Sequence, residues 1–154
     1  MFSNFECECE MHRGDANVIA DCVEAVDVAY IDPPYNQHPY GSNYFMLNLI
    51  ADYIEPTSIS EVSGIPQNWN RSPYNKKALS RDTFSDLAQR IDAKYLLISF
   101  NSEGFISLDE MSGLLKKIGK LRILETKYNA FRGSRNLKGR NIHVKEYLYL
   151  VEKS

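Results

Sequence analysis

The chain has 154 residues, 44% of them hydrophobic and 25% charged, with a formal net charge of −2. This is enough chain for one domain with a core of its own, in the composition of an ordinary globular protein. No apolar run approaches the roughly 20 residues of a membrane span, and MFSNFECECEMHR has neither the cationic start nor the apolar stretch of a secretory signal. Cys7, Cys9 and Cys22 are odd in number and do not fit metal-ligand spacing, so a cytoplasmic setting with reduced thiols is expected.

Phe5 to His12 alternates apolar and charged side chains, which predicts a strand over Glu6–His12. Gly14-Asp15 turns into a helix from Ala16 to about Ala25, with Asp15 as its N-cap. Val26 to Ile31 reads as a buried strand. The apolar spacing from Tyr44 to Ile54 is helical. From Glu55 to Leu79 the chain carries Pro56, Gly64, Pro66 and Pro73, with Trp69 and Tyr74 among polar residues. Long irregular segments on a compact domain are commonly functional. A helix is expected over Thr83–Asp92 and a central strand over Lys94–Phe100. Ser107, with Glu110 three residues on, opens a helix through a capping box, and that helix runs to Gly119. Strands follow over Lys120–Tyr128 and Asn141–Glu152, joined by a basic loop that contains Gly133 and Gly139. Alternation of this kind implies an α/β fold, a mostly parallel sheet with helices on both faces. The last two strands, with no helix between them, should be antiparallel neighbours.

Asp32-Pro33-Pro34-Tyr35 stands at the carboxyl end of the Val26–Ile31 strand. Two prolines cannot continue a ladder, because each lacks an N–H donor, and they hold the residues before them extended. The turn is therefore stiff, and it lies in the crevice where open α/β sheets bind ligands. An acceptor on one side of it and a flat ring on the other suit a planar group that carries an exocyclic amine. An ordinary strand-ending turn would use the same four residues.

Charge is polarised along the chain. Residues 1–31 hold seven acidic side chains against Arg13, whereas residues 120–145 hold Lys120, Arg122, Lys127, Arg132, Arg135, Lys138, Arg140 and Lys145 against Glu125. Such a chain can turn one cationic face to phosphates, or carry a solvated surface with no partner.

The stretch AYIDPPYNQHPYGSNYFMLNLIAD, residues 29–52, resembles motif IV and the following helix of the methyltransferases that make N6-methyladenine in DNA. It is most similar to the adenine-specific methylases of bacterial restriction–modification systems. The resemblance continues through Leu97–Gly104 and Lys127–Gly133, and covers most of the chain from about Gly14. It implies part of a class I S-adenosylmethionine-dependent methyltransferase sheet, Rossmann-like, with strands three to seven present. The last strand of that sheet is antiparallel, inserted at one edge.

The resemblance also implies roles. Asp32 and the Pro33 carbonyl would accept the two hydrogens of adenine N6, and the Asp32–Tyr35 turn, Pro34 included, would be the catalytic segment. Tyr35 would stack on a base flipped out of the duplex, with Tyr128 or Phe131 on its other face. Core packing is the competing role for each of those two rings. S-adenosylmethionine is the implied donor. Asp15 occupies the position of the family's acidic donor-binding residue and is equally a helix cap. Asp32, Tyr40 and Tyr44 would help shape the donor or base pocket. Arg132, Arg135, Lys138 and Arg140 would hold DNA phosphates. Residues 55–79 would form an insertion for target recognition, with Trp69, Asn70, Arg71 and Tyr74 able to reach base edges.

No Phe/Tyr-x-Gly-x-Gly segment of motif I is present in the sequence. The expectation is therefore the C-terminal part of a methyltransferase, residues 1–154, with weak donor binding on its own. A missing N-terminal half or a second chain would be its partner. Two alternatives stand beside this reading. One is a glutamine-N5 protein methyltransferase, which typically carries Asn in place of Asp32. The other is a folded remnant that binds no donor.

Overall fold

The computed structural model describes residues 6–62, 64–66, 72–129 and 143–154. Four strands form one sheet: β1 (Val26–Ile31), β2 (Ala93–Asn101), β3 (Gly119–Asn129) and β4 (His143–Lys153), in the order β1-β2-β4-β3. β1 and β2 are parallel, while β4 runs antiparallel to both β2 and β3. The last two strands are antiparallel neighbours as expected. The sheet departs from expectation in being mixed, with a single parallel pairing among the described residues. Its last strand lies between β2 and β3, not at an edge.

Among the described residues five helices accompany the sheet: α1 (Ala16–Ile19), α2 (Tyr40–Asn43), α3 (Phe45–Asp52), α4 (Lys77–Arg90) and α5 (Leu108–Leu115). A 3₁₀ turn spans Pro73–Asn75. α5 begins as its sequence dictates. The Ser107 hydroxyl accepts from the Glu110 N–H at 3.3 Å, and the Ser107 N–H donates to the Glu110 carboxylate at 2.9 Å. It stops at Leu115 with turns to Ile118, so Gly119 opens β3 instead of closing the helix.

Three elements differ more. Residues 6–12 form no regular secondary structure and pair with nothing among the described residues, so the sheet has four strands where five are expected. Alternation prepares a strand, but only a ladder partner makes one. α1 ends at Ile19 and continues as turns to Cys22, since Val23 and Val26 gain little from a helix. α4 starts at Lys77, six residues before the expected Thr83, because Ser72 caps the 3₁₀ turn and Pro73 enters it at the position where its missing N–H costs nothing. The segment 55–79 is irregular over residues 55–62, 64–66 and 72, apart from a bridge between Ile59 and Pro66, but its end is helical.

Register assigns each side chain to a face. Ala29, Leu96, Val151 and Leu121 form one cross-sheet row, and Ile31, Ile98, Tyr149 and Ile123 form the next. Both rows lie on the core side, where Phe84 and Leu87 of α4 and Met111 and Leu115 of α5 join them, while Ile123 at the end of the second row stays exposed. Leu96, Ile98, Phe84 and Met111 have no solvent exposure. The opposite face carries Val28, Tyr30 and Leu124, exposed by 56%, 60% and 61%. Of the expected helices, α4 and α5 pack on the core face of the sheet. β1 is an end strand, and its outer edge pairs with nothing described.

Candidate active site

β1 delivers Asp32 to the end of the sheet. Ile31 and Pro33 are buried while Asp32 between them is exposed, so the turn is rooted in the core and presents the carboxylate outward. Among the described residues Asp32 makes no hydrogen bond, which leaves its oxygens open to an external donor.

A cavity of about 520 Å³ opens beside this turn, with Asp32, Pro33 and Pro34 on one side and Gly14, Asp15 and Ala16 on another. The two acidic residues singled out from sequence thus share one pocket. Asp15 is also the N-cap of α1, accepting the Asn17 N–H at 2.9 Å, so the capping role is met.

The wall between them rests on a network not foreseen from sequence. Asn17 donates to the Thr83 carbonyl at 2.9 Å and to the Asp86 carboxylate at 2.8 Å, fastening α1 to α4. Its amide oxygen accepts the Tyr74 hydroxyl at 2.8 Å. Hydrogen bonds from Arg90, then from Asn17, hold the Asp86 carboxyl below the ordinary carboxylate range. Tyr74 is buried, and burial, followed by the charges of Asp15 and Asp86, pushes its hydroxyl well up. This corrects one expectation. Tyr74 lines the cavity with its hydroxyl already engaged, so it is not free to read base edges. Its signal in the sequence was Ser72-Pro73, a capped turn that drives the next side chain inward.

Tyr35, Tyr40 and Tyr44 do not line that cavity. Tyr40 and Tyr44 meet edge to face with centroids 5.6 Å apart. Burial, then the charge of Asp32, pushes the Tyr40 hydroxyl up to about 12. Tyr40 therefore stays a neutral donor within electrostatic reach of Asp32. Tyr35 is half-buried, with its ring edge against Phe100 at 5.7 Å. Tyr128 lies in β3 opposite Val144, and its side chain is outside the described residues. Phe131, Arg71, Arg132, Arg135, Lys138 and Arg140 also lie outside them, as do Trp69 and Asn70. Of the remaining basic cluster, Lys145 is paired with Glu125 at 2.9 Å. No helix among the described residues is long and apolar enough to cross a membrane.

Residues 4–114 match the model of the D12 class N6 adenine-specific DNA methyltransferases. The chain belongs to that family. It is 32% identical to the type II methyltransferase M.NlaIII of Neisseria lactamica over 149 residues, which is 94% of this chain and 43% of that protein. It is 33% identical to the type II methyltransferase M.CviAII of Paramecium bursaria Chlorella virus 1 over 126 residues, 81% of the chain and 37% of that protein. M.FokI of Planomicrobium okeanokoites is 30% identical over 145 residues, 92% of the chain and 22% of that protein. The chain thus spans less than half the length of these curated relatives. The family is one acting on adenine in DNA, which sets aside the glutamine-directed alternative.

Proposed function

We propose that this chain is the catalytic-turn part of an enzyme that methylates N6 of a flipped-out adenine in DNA. The observation that carries the reading is the exposed Asp32 carboxylate beside one cavity shared with Asp15, at the carboxyl end of a parallel strand. The N6 lone pair is delocalised into the adenine ring, so the nitrogen attacks only when it becomes tetrahedral. Asp32 accepts one of its hydrogens and the Pro33 carbonyl the other, which favours that geometry. Neither group needs to be a strong base, because the proton can leave after transfer. Positioning and electrostatics supply the rate. Tyr35 stacks on the base, with Tyr128 or Phe131 opposite.

S-adenosylmethionine supplies the electrophilic methyl group. The cavity is within the size range of small-molecule sites and offers Asp15 and Asp32 to it, with Tyr40 and Tyr44 shaping the approach. It is bordered by Val26, Ala29 and Tyr30 of β1, the end strand, whose outer edge pairs with nothing among the described residues. The exposed Val28 and Tyr30 of β1 and the greater length of the relatives support a partner segment, a missing half or a second chain, that pairs with β1 and completes the pocket. On this reading the four strands are the fourth, fifth, seventh and sixth of the class I sheet, in spatial order. The expected third strand is the unpaired segment 6–12. The basic segment from Arg132 to Arg140 holds phosphates, and the segment around Arg71 takes part in target choice.

The test is transfer of labelled methyl groups to adenine-containing DNA, with the chain alone and with a donor-binding segment added. The chain alone should bind donor weakly by titration calorimetry. A low-micromolar dissociation constant would remove the need for a second segment. In the active combination Asp32→Ala should lower turnover by about 10²-fold or more, as loss of a transition-state hydrogen-bond partner does. Unchanged turnover would reject the assignment.

A further inference from the structure

The prolines stiffen the catalytic turn as far as Pro34, but nothing in their rings fixes Tyr35. We propose that the turn Phe100–Phe105 is a clamp that positions Tyr35, and that Asn101 and Gly104 are positioning residues within it. This rests on the reading of Tyr35 as the base-stacking ring.

Two contacts grip Tyr35 from the same turn. The Phe105 N–H donates to the Tyr35 carbonyl at 2.7 Å, which sets the backbone. The Phe100 ring, buried to 1% exposure, meets the Tyr35 ring edge-on at 5.7 Å and an interplanar angle of 67°, which sets the side chain. The turn itself is over-determined. The Gly104 N–H donates to the Asn101 carbonyl at 3.2 Å, and the Glu103 N–H to the Asn101 side-chain oxygen at 3.0 Å. Ser102 ties it to β4, its N–H donating to the Lys145 carbonyl at 2.9 Å while its hydroxyl accepts the Lys145 N–H at 3.1 Å.

Gly104 is what lets both contacts exist together. A Cβ there would overlap three carbons of the Phe100 ring. That ring is locked in the core and has no free direction to retreat. Any side chain at 104 must lift the turn off Tyr35 or turn the ring against it.

Gly104→Ala is the direct test, read by amide exchange at Phe105 and by the fluorine resonance of Tyr35 in chain labelled with 3-fluorotyrosine, assigned through Tyr35→Phe. Exchange at Phe105 should speed up by about tenfold or more while Leu96 and Ile98 amides keep their protection. The Tyr35 resonance should shift. Phe100→Leu removes the ring contact and leaves the turn's hydrogen bonds, so it should move the Tyr35 resonance alone, and it decides the question if Gly104→Ala does not fold. Unchanged signals at Phe105 and Tyr35, or protection lost equally at Leu96 and Ile98, would overturn the clamp.

In the active combination Gly104→Ala should lower kcat/KM, yet cost nothing further when added to Tyr35→Ala. A merely structural defect would add to it. If the spectroscopic changes appear but Tyr35→Ala leaves methylation intact, the clamp stands and the base-stacking role falls.

Discussion

The two faces of the sheet are built from alternate residues of the same strands, yet they live in different solvents. Leu96, Ile98 and Val151 are wholly buried under α4 and α5, while Val28, Tyr30 and Leu124 keep more than half of their surface in water. A strand of a surface sheet would alternate apolar with polar. β1 instead reads VDVAYI, with only Asp27 polar, the pattern of a strand meant to be covered on both sides. Among the described residues, the strands carry apolar side chains on both faces, while α4 and α5 cover one of them. The Asp32–Tyr35 turn follows the same division. Ile31 and Pro33 are rooted in the finished face, whereas Asp32 is exposed and the cavity it borders runs along the unfinished edge.

The sharpest way to break this comparison is to truncate one side chain on each face. Phe84→Ala removes a ring with no exposure from under the sheet and should cost about 3–5 kcal/mol. Tyr30→Ser, on the open face, should change stability by no more than about 0.5 kcal/mol. Denaturant midpoints at equal slope read both. Equal costs would mean that the open face is already packed.

That asymmetry was only partly legible in the sequence. β1, β2 and the α5 capping box were, because each is decided by its own residues: a run of apolar side chains, or a Ser with a Glu three positions on. The segment 6–12 misled because its alternation is correct and its partner is absent from the described residues. The insertion of β4 between β2 and β3 could not be read locally either, since Leu148 and Leu150 would suit an edge as well. At the candidate site, the end of β1 before Asp32 and the Asp15 cap were legible in the sequence. Tyr74 was misplaced, because only the distant Asn17 makes its hydroxyl an interior group. The Phe100–Phe105 turn was visible as a motif, but its grip on Tyr35 is a contact between segments far apart in sequence.

A smaller effect tests how the cavity wall is held. Asn17→Ala leaves the buried Tyr74 hydroxyl and the Thr83 carbonyl without their partner, and should cost about 1–3 kcal/mol. Tyr74→Phe removes the hydroxyl itself and strands only the half-buried Asn17 oxygen, so it should cost about 0.5–1.5 kcal/mol. If the order of the two is reversed in thermal unfolding, the hydroxyl is not held as an interior group. The wall of the pocket would then be looser than the finished face behind it.

The smallest effect lies at the start of α5, on the finished side. Ser107→Ala should cost about 1 kcal/mol, the usual value of an N-cap hydroxyl. Its pH dependence carries the finer information. Hydrogen bonds from the Ser107 hydroxyl, then from its backbone N–H, hold the Glu110 carboxyl below its ordinary value of 4.5. A carboxyl depressed on folding contributes stability above its unfolded pKa and loses it as pH falls through the folded one. Wild-type stability should therefore drop as the pH is taken below 4.5, and Ser107→Ala should flatten part of that drop by removing the larger of the two hydrogen bonds. Melting temperatures of both proteins across this acid range give the difference directly. An equal acid response in the two would show that the Ser107 hydroxyl does not depress the Glu110 pKa, leaving that to the backbone N–H of residue 107 and to the charges of Arg81 and Lys77.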